Sequence, residues 1–522
     1  MHEVHIDGET LKIEDIVEVA RKNAKVAISE KVKKQVKRSR EVLEKLIMEN
    51  QIIYGVNTGF GALSNIVIPP EEIKQLQSNL IRSHSTGVGD PLNTEITRAL
   101  MLLRANTLAK GYSGIRLETL ETLVEMLNKG VHPIIPAKGS VGASGDLAPL
   151  SHMILVLIGE GEAEYQGQVM SGKEAMKKAG IRPVQLEFKE GVALNNGTQL
   201  MTAMAALTVH DAENLIKTEE VATALTLEAL LGVSDAFNEK IQKVRPHSGQ
   251  AITAKNIREM IAGSQLIQTG KESMDKKHRP HDPYSLRCAP QVLGTARDAI
   301  AYARRIVEVE INSATDNPLV FPDEGICLSG GNFHGQPISL AMDLFGIALT
   351  IVGNISERRI ARLLDEKLNN GLPAFLIPPE SKPGLNSGLM TLQYTAAALA
   401  SENKVLAHPA CTDSIPTSAN FEDFVSMGAT AAQKAMQILE NTEYIIAIEL
   451  LCAAQAIEFR GSENLGKGTK TAYTTIRKAV PMLLEDKVLR EDMEKIKQLV
   501  KKGALGRNKV KTNNSPVNGR VK

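Results

Sequence analysis

The 522-residue chain has no tryptophan and only ten phenylalanines and eight tyrosines, so aromatic residues make up 3% of it. Its four cysteines, at 288, 327, 411 and 452, are scattered with no CxxC pair. That excludes a disulfide framework and points to reduced thiols in a cytoplasmic protein. Charge of one sign is also missing: 61 basic residues face 60 acidic ones, for a net charge of +1. Such a balance gives no field to attract nucleic acid or an anionic membrane. The start, MHEVHIDGET, is polar, with no apolar signal core behind it. The richest apolar stretch, Ile445 to Ile457, is broken by Glu449 and Gln455, so no membrane span is expected. With 43% hydrophobic and 23% charged residues, disordered and collagen-like classes are excluded.

Helical periodicity is what the second half has in abundance. Leu340, Leu344, Ile347, Ile351 and Ile355 form one apolar stripe, and Ala299, Tyr302, Ala303, Ile306 and Val309 form another. No Gly or Pro interrupts Ala429 to Arg460, which predicts one long helix in a bundle shared between subunits. Gly, Pro and Asn punctuate the first part at 54–61, 132–136 and 139–149, which predicts loops between shorter helices. Short strands are expected near Glu164 to Val169 and Leu319 to Leu328. The tail after Lys502 is basic and nearly free of apolar pattern, so no packed structure is expected there.

Two motifs lead nowhere. Gly461 to Lys467 resembles the start of a phosphate-binding loop, but Gly468 replaces the required Ser or Thr and a long helix precedes it. His278 and His281 are separated by Arg-Pro, and no Cys or carboxylate pattern completes a metal set. No metal is expected.

The informative stretch is Lys138-Gly-Ser-Val-Gly-Ala143-Ser144-Gly145-Asp146-Leu-Ala-Pro-Leu-Ser-His152. Alone, it reads as a small-residue turn into a helix, capped by Ser144 or Asp146. Other segments share its company. They are Ile53-Tyr54-Gly-Val-Asn-Thr-Gly-Phe-Gly61, Leu194-Asn195-Asn196-Gly-Thr-Gln199 and Pro283-Tyr284-Ser-Leu-Arg287-Cys-Ala-Pro-Gln291. Further on come Gly330-Gly-Asn-Phe333-His334-Gly335 and Thr417-Ser-Ala-Asn420-Phe421-Glu422-Asp-Phe424-Val-Ser-Met427. Together, from about residue 50 to 460 and in this order, they resemble the histidine and aromatic amino-acid ammonia-lyase family, most of all its histidine branch.

The resemblance implies an all-α fold of fumarase/aspartase-like architecture. A loop-rich N-terminal part (1–205) would carry the prosthetic group. A long central helix bundle (206–460) and a C-terminal segment with a basic tail (461–522) would follow. It implies that Ala143, Ser144 and Gly145 cyclise with loss of two waters to 4-methylidene-imidazole-5-one, with no external cofactor. Glycine suits position 145 because, without Cβ, its nitrogen can approach the preceding carbonyl closely. Tyr54 would remove the β-proton, which needs a depressed pKa or a transient tyrosinate. Asn196 would hold the substrate amine and the ring, Tyr284 would stand near the electrophile, and Phe333 would line the pocket. Arg287 would grip the substrate carboxylate, a task suited to its planar fork. Four chains would associate, each site drawing on three of them.

His84 and Glu422 match the histidine branch, since a neutral imidazole and a carboxylate can both bond a substrate imidazole. The implied reaction is elimination of ammonia from L-histidine to trans-urocanate. Phe421, Phe424, His281 and Asn195 depart from that branch and leave a tyrosine or phenylalanine substrate, or a 2,3-aminomutase outcome, open. A fumarase-type lyase would need a mobile serine loop of another pattern. A non-enzymatic helical scaffold would not explain these motifs occurring together.

Overall fold

A computed structural model describes residues 3–276 and 279–505. His278 and residues 506–522, most of the basic tail, lie outside them. The described chain is predominantly helical, as expected, with only short strands. Two of the strand expectations are met by antiparallel hairpins, Glu162–Tyr165 with Gln168–Ser171 and Leu319–Phe321 with Ile326–Leu328.

Packing groups the residues into two compact units, each assembled from three stretches of chain. One comprises Met1–Ala212, Ala299–Thr350 and Asn403–Glu440, and the other Glu213–Asp298, Ile351–Glu402 and Asn441–Lys522. The division points fall inside the long helices Gln199–Ala229, Ala289–Glu310, Gln336–Leu364, Met390–Leu406 and Gly428–Glu458. The last matches the uninterrupted run predicted from sequence. Its 31 residues span about 46 Å at 1.5 Å per residue.

The apolar stripe on the 336–364 helix requires a correction. The buried face carries Ile338, Ala341, Met342, Phe345, Leu349 and Val352. Of the stripe itself only Ile355 is buried; Leu340, Leu344, Ile347 and Ile351 are 36–50% exposed. The helix is apolar on two faces, and periodicity alone could not say which one the chain buries on itself. Among the described residues this helix, rather than the 445–457 segment, is the one long and apolar enough to cross a membrane. However, 72% of its apolar window is buried inside the protein, and it carries Glu357, Arg358 and Arg359.

In the first unit, the Thr94–Ala109 helix is a core element. Asn93 caps it by accepting from the Ile96 amide at 2.9 Å, and every residue from Ile96 to Ala109 is buried, Arg104 included. In the second unit, Arg359 is fully buried between Glu219 and Glu449. Glu449 also accepts from Ser356 and Thr226, at 2.6 and 2.7 Å. The phosphate-loop look-alike is spoken for: the Gly466 amide donates to the Glu228 carboxylate at 2.7 Å. A carboxylate there repels phosphate.

Candidate active site

Backbone bonds and a few short side chains together hold the Ala143–Gly145 turn. The Asp146 amide donates to the Gly197 carbonyl at 2.7 Å, and Gly145 pairs with Gly197 as a β-bridge. The Gly142 carbonyl accepts from Ser426 Oγ at 2.8 Å and from the Gly335 amide at 3.3 Å. The Met427 amide donates to the Val141 carbonyl at 2.9 Å. These anchors sit just ahead of the helices that begin at Leu147, Gln199, Gln336 and Gly428. Four positive helix ends therefore gather around one turn.

Gly145 shows why the turn needs glycine. Its φ is +77°, and a Cβ placed there would lie 2.1 Å from the Gly197 carbonyl oxygen. Asp146 ties the turn to the next helix, accepting from Ser140 Oγ at 2.7 Å and from the Met201 amide at 3.0 Å. Complete burial outweighs these bonds and pushes its pKa up to about 6.

A cavity of about 570 Å³ opens over Ala143 and Ser144 and is also lined by Tyr54, His84, Asn196, Phe333 and Glu422. All of these were singled out from sequence. The Ser144 hydroxyl donates to Glu422 Oε1 at 2.6 Å, and Thr417 Oγ1 donates to Glu422 Oε2 at 2.9 Å. Asn196 Nδ2 donates to the Ser144 carbonyl at 2.8 Å. Asn196 Oδ1 is buried and has no partner among the described residues. Burial depresses the His84 pKa, which favours the neutral imidazole.

Of the two conditions expected to let Tyr54 act as a base, a depressed pKa and a transient tyrosinate, the first is not met. Its oxygen accepts from the Gly61 amide at 3.2 Å, a bond that favours tyrosinate. Yet burial, together with the nearby Glu422 charge, holds its pKa above the ordinary phenol value. The depressed pKa expected of a resting base is not what this arrangement produces. Phe421 and Phe424 also line the cavity, more than half exposed, and Phe424 stacks on His334 with ring centroids 6.0 Å apart. Asn195 is fully buried against Ser151 Oγ at 3.2 Å.

His281, Tyr284 and Arg287 are not in this cavity. They line a second one of about 500 Å³, belonging to the other compact unit. Tyr284 is 70% exposed, and the Arg287 guanidinium lies 4.9 Å from its ring centroid. Arg287 Nε is buried with no partner among the described residues. Arg359 Nη1 donates to the Ser285 carbonyl at 3.3 Å, bracing the same turn from below.

Sequence reasoning passed over several residues. Thr417, which bonds Glu422, stood in a quoted motif, and its hydroxyl was the available signal. Arg104 offered none, because an Arg within a helix ordinarily reads as a solvated side chain.

The geometry agrees with comparison to known proteins. Residues 11–478 match the family model described as aromatic amino acid lyase. A histidine ammonia-lyase of Caldanaerobacter subterraneus subsp. tengcongensis is 54% identical over 97% of this chain and 98% of its own. Among solved structures, a histidine ammonia-lyase from Trypanosoma cruzi superposes with a TM-score of 0.88 at 40% identity, covering 97% of this chain and 94% of that one. A tyrosine aminomutase from Streptomyces globisporus gives 0.92 at 39%, with coverage of 97% and 98%. A backbone-locked Ala-Ser-Gly turn beneath such a cavity, in a chain matched over this length, makes the protein a member of the aromatic amino acid lyase family.

Proposed function

We propose that the protein eliminates ammonia from L-histidine to give trans-urocanate, using an electrophile made from Ala143, Ser144 and Gly145. The Cβ-intolerant turn fits backbone cyclisation at Gly145, and Asn196 is in place to hold the group through the residue 144 carbonyl. When formed, 4-methylidene-imidazole-5-one supplies an electron-poor alkene that engages the substrate and eases loss of its β-proton.

The observation that carries the histidine reading is Glu422, whose carboxylate faces the tripeptide within hydrogen-bond reach. Its Oε1 can accept the N–H of an imidazole, whereas a phenyl ring would offer that oxygen no partner and leave it only the Thr417 bond on Oε2. Relatives of that activity at about half identity support the same choice. His84, kept neutral by burial, can hydrogen-bond the same ring. The orphaned Asn196 Oδ1 suits the substrate ammonium. Tyr54 takes the β-proton as tyrosinate, a form its raised pKa makes scarce at neutral pH, so turnover rises with pH.

Arg287, with Tyr284 and His281, binds the carboxylate side of the substrate from a neighbouring protomer. A homotetramer is supported by the exposed apolar stripe Leu340, Leu344, Ile347 and Ile351, a surface that a second copy can cover. No metal, external cofactor, nucleic acid or membrane enters this reading, and its compartment is the cytoplasm.

Turnover of L-histidine, L-tyrosine and L-phenylalanine measured side by side, with products identified by NMR, tests the proposal. Histidine converted to urocanate in clear preference is expected. An aryl acrylate or a β-amino acid as the main product would overturn it.

A further inference from the structure

Arg104 is an anomaly in the core. Its side chain is fully buried, yet it forms no ion pair with any described residue, and its Nε has no partner among them. An uncompensated buried cation is expensive and persists where its hydrogen bonds are needed. Burial pushes its pKa down to about 10, with Asp316 the nearby anion opposing this, so it stays charged at neutral pH. Asp316 itself is engaged by Lys189 Nζ at 2.9 Å.

All of its bonds go to one segment. Nη2 donates to the Ala193 carbonyl at 2.7 Å, and Nη1 to the Asn196 carbonyl at 2.8 Å and to Gln199 Oε1 at 2.7 Å. Gln199 is fixed in turn, its Nε2 donating to Thr315 Oγ1 at 2.7 Å and Thr107 Oγ1 at 3.1 Å. The guanidinium thus spans the break between the Glu190–Asn195 and Gln199–Ala229 helices. That break holds the two residues pressed on the tripeptide: Asn196, on the Ser144 carbonyl, and Gly197, against Gly145 and Asp146. The fit is tight on the Arg104 side too, since a Cβ on Gly197 would lie 2.5 Å from Arg104 Nη1.

We propose that Arg104 is a positioning residue for cyclisation of the Ala143–Ser144–Gly145 turn: its fork clamps residues 193–199 so that Asn196 and Gly197 hold the tripeptide in place. The inference rests on the self-made prosthetic group proposed above. A lysine could keep the charge but not the three divergent bonds of the planar fork.

The test follows intact mass with time in full-length chain made by cell-free synthesis, alongside near-ultraviolet absorbance and thermal unfolding. Wild type is expected to become lighter by two waters. Arg104→Met and Arg104→Lys, if folded, are expected to lose those waters about a hundredfold more slowly, the scale of a small misplacement of reacting groups. Gln199→Leu, which removes one acceptor and leaves Arg104 in place, serves if both Arg104 variants fail to fold. It is expected to mature roughly tenfold more slowly. Folded Arg104 variants, or in their absence a folded Gln199→Leu, maturing at the wild-type rate would overturn the positioning role. Wild type remaining at full mass would instead overturn the prosthetic-group reading beneath it.

Discussion

The two cavities are built by different means. Around Ala143–Gly145 the constraints are backbone bonds, glycines with no room for a Cβ, and a few side-chain bonds with Asn196, Ser426 and Glu422. Around Tyr284–Arg287 they are charged side chains: Arg279 pairs with Asp282 at 2.9 Å, Asp282 accepts from the Val233 amide at 2.6 Å, and Arg359 braces Ser285. Their unpaired buried atoms differ less sharply. The first cavity has two acceptors, Asn195 Oδ1 and Asn196 Oδ1, and the second has a donor, Arg287 Nε, beside an acceptor, Gln291 Oε1. In the proposed reading Asn196 Oδ1 takes the substrate ammonium and Arg287 takes the carboxylate. On the function proposed above, a turn that reacts with itself calls for a rigid main chain, and a carboxylate grip for a well-aimed fork.

The largest effect should come from removing the reactive hydroxyl. Ser144→Ala is expected to remain folded, keep its full mass and lose roughly 10³-fold or more in kcat. Wild-type turnover in that variant would remove the chemical distinction between the cavities. Next, Arg287→Ala should lower kcat/KM about a hundredfold, mainly through KM, as a charged hydrogen-bonding partner is lost. If the two cavities complete one another across protomers, reassembling inactive Tyr54→Phe with Arg287→Ala subunits should restore part of the activity. Mixed tetramers as inactive as their parents would confine each site to a single chain.

Glu422→Gln should cost about tenfold to a hundredfold in kcat/KM for histidine. It should also move the alkaline rise. The Glu422 charge helps hold the Tyr54 pKa up, so neutralising it lowers that pKa, and the rise of kcat/KM should begin at lower pH. An unmoved or upward-shifted profile would dissociate Tyr54 from the proton transfer. The smallest effect is expected from Phe421→Gln combined with Phe424→His. Both rings are more than half exposed at the cavity edge, so a shift of only about threefold to tenfold in the histidine-to-tyrosine ratio is expected from competition assays.

Much of this site could be read from residues alone because its parts are tied to local sequence. Ala-Ser-Gly, the Tyr54 loop and the Glu422-Asp423 pair each declare themselves within a dozen residues, and all contribute to the lining of one cavity. The long helix predicted from Ala429 was legible because nothing within it breaks helical geometry. What stayed hidden depends on three-dimensional company. Periodicity could not show that the Leu340–Ile351 stripe faces outward, since the opposite face of the same helix is equally apolar. The direction of the Tyr54 shift depends on burial and on a carboxylate 368 positions away in sequence, by subtraction of 54 from 422. Arg104 could not be distinguished from a surface arginine until its acceptors were seen.

Under the proposed function, the hydrogen bond from Ser144 to Glu422 would set an order of events. While the serine hydroxyl exists, it occupies the acceptor proposed for the substrate imidazole. Forming the proposed electrophile would expel that oxygen as water and vacate the carboxylate in the same act. A newly made chain would then be masked against its substrate until its reagent is complete, and specificity would mature together with reactivity.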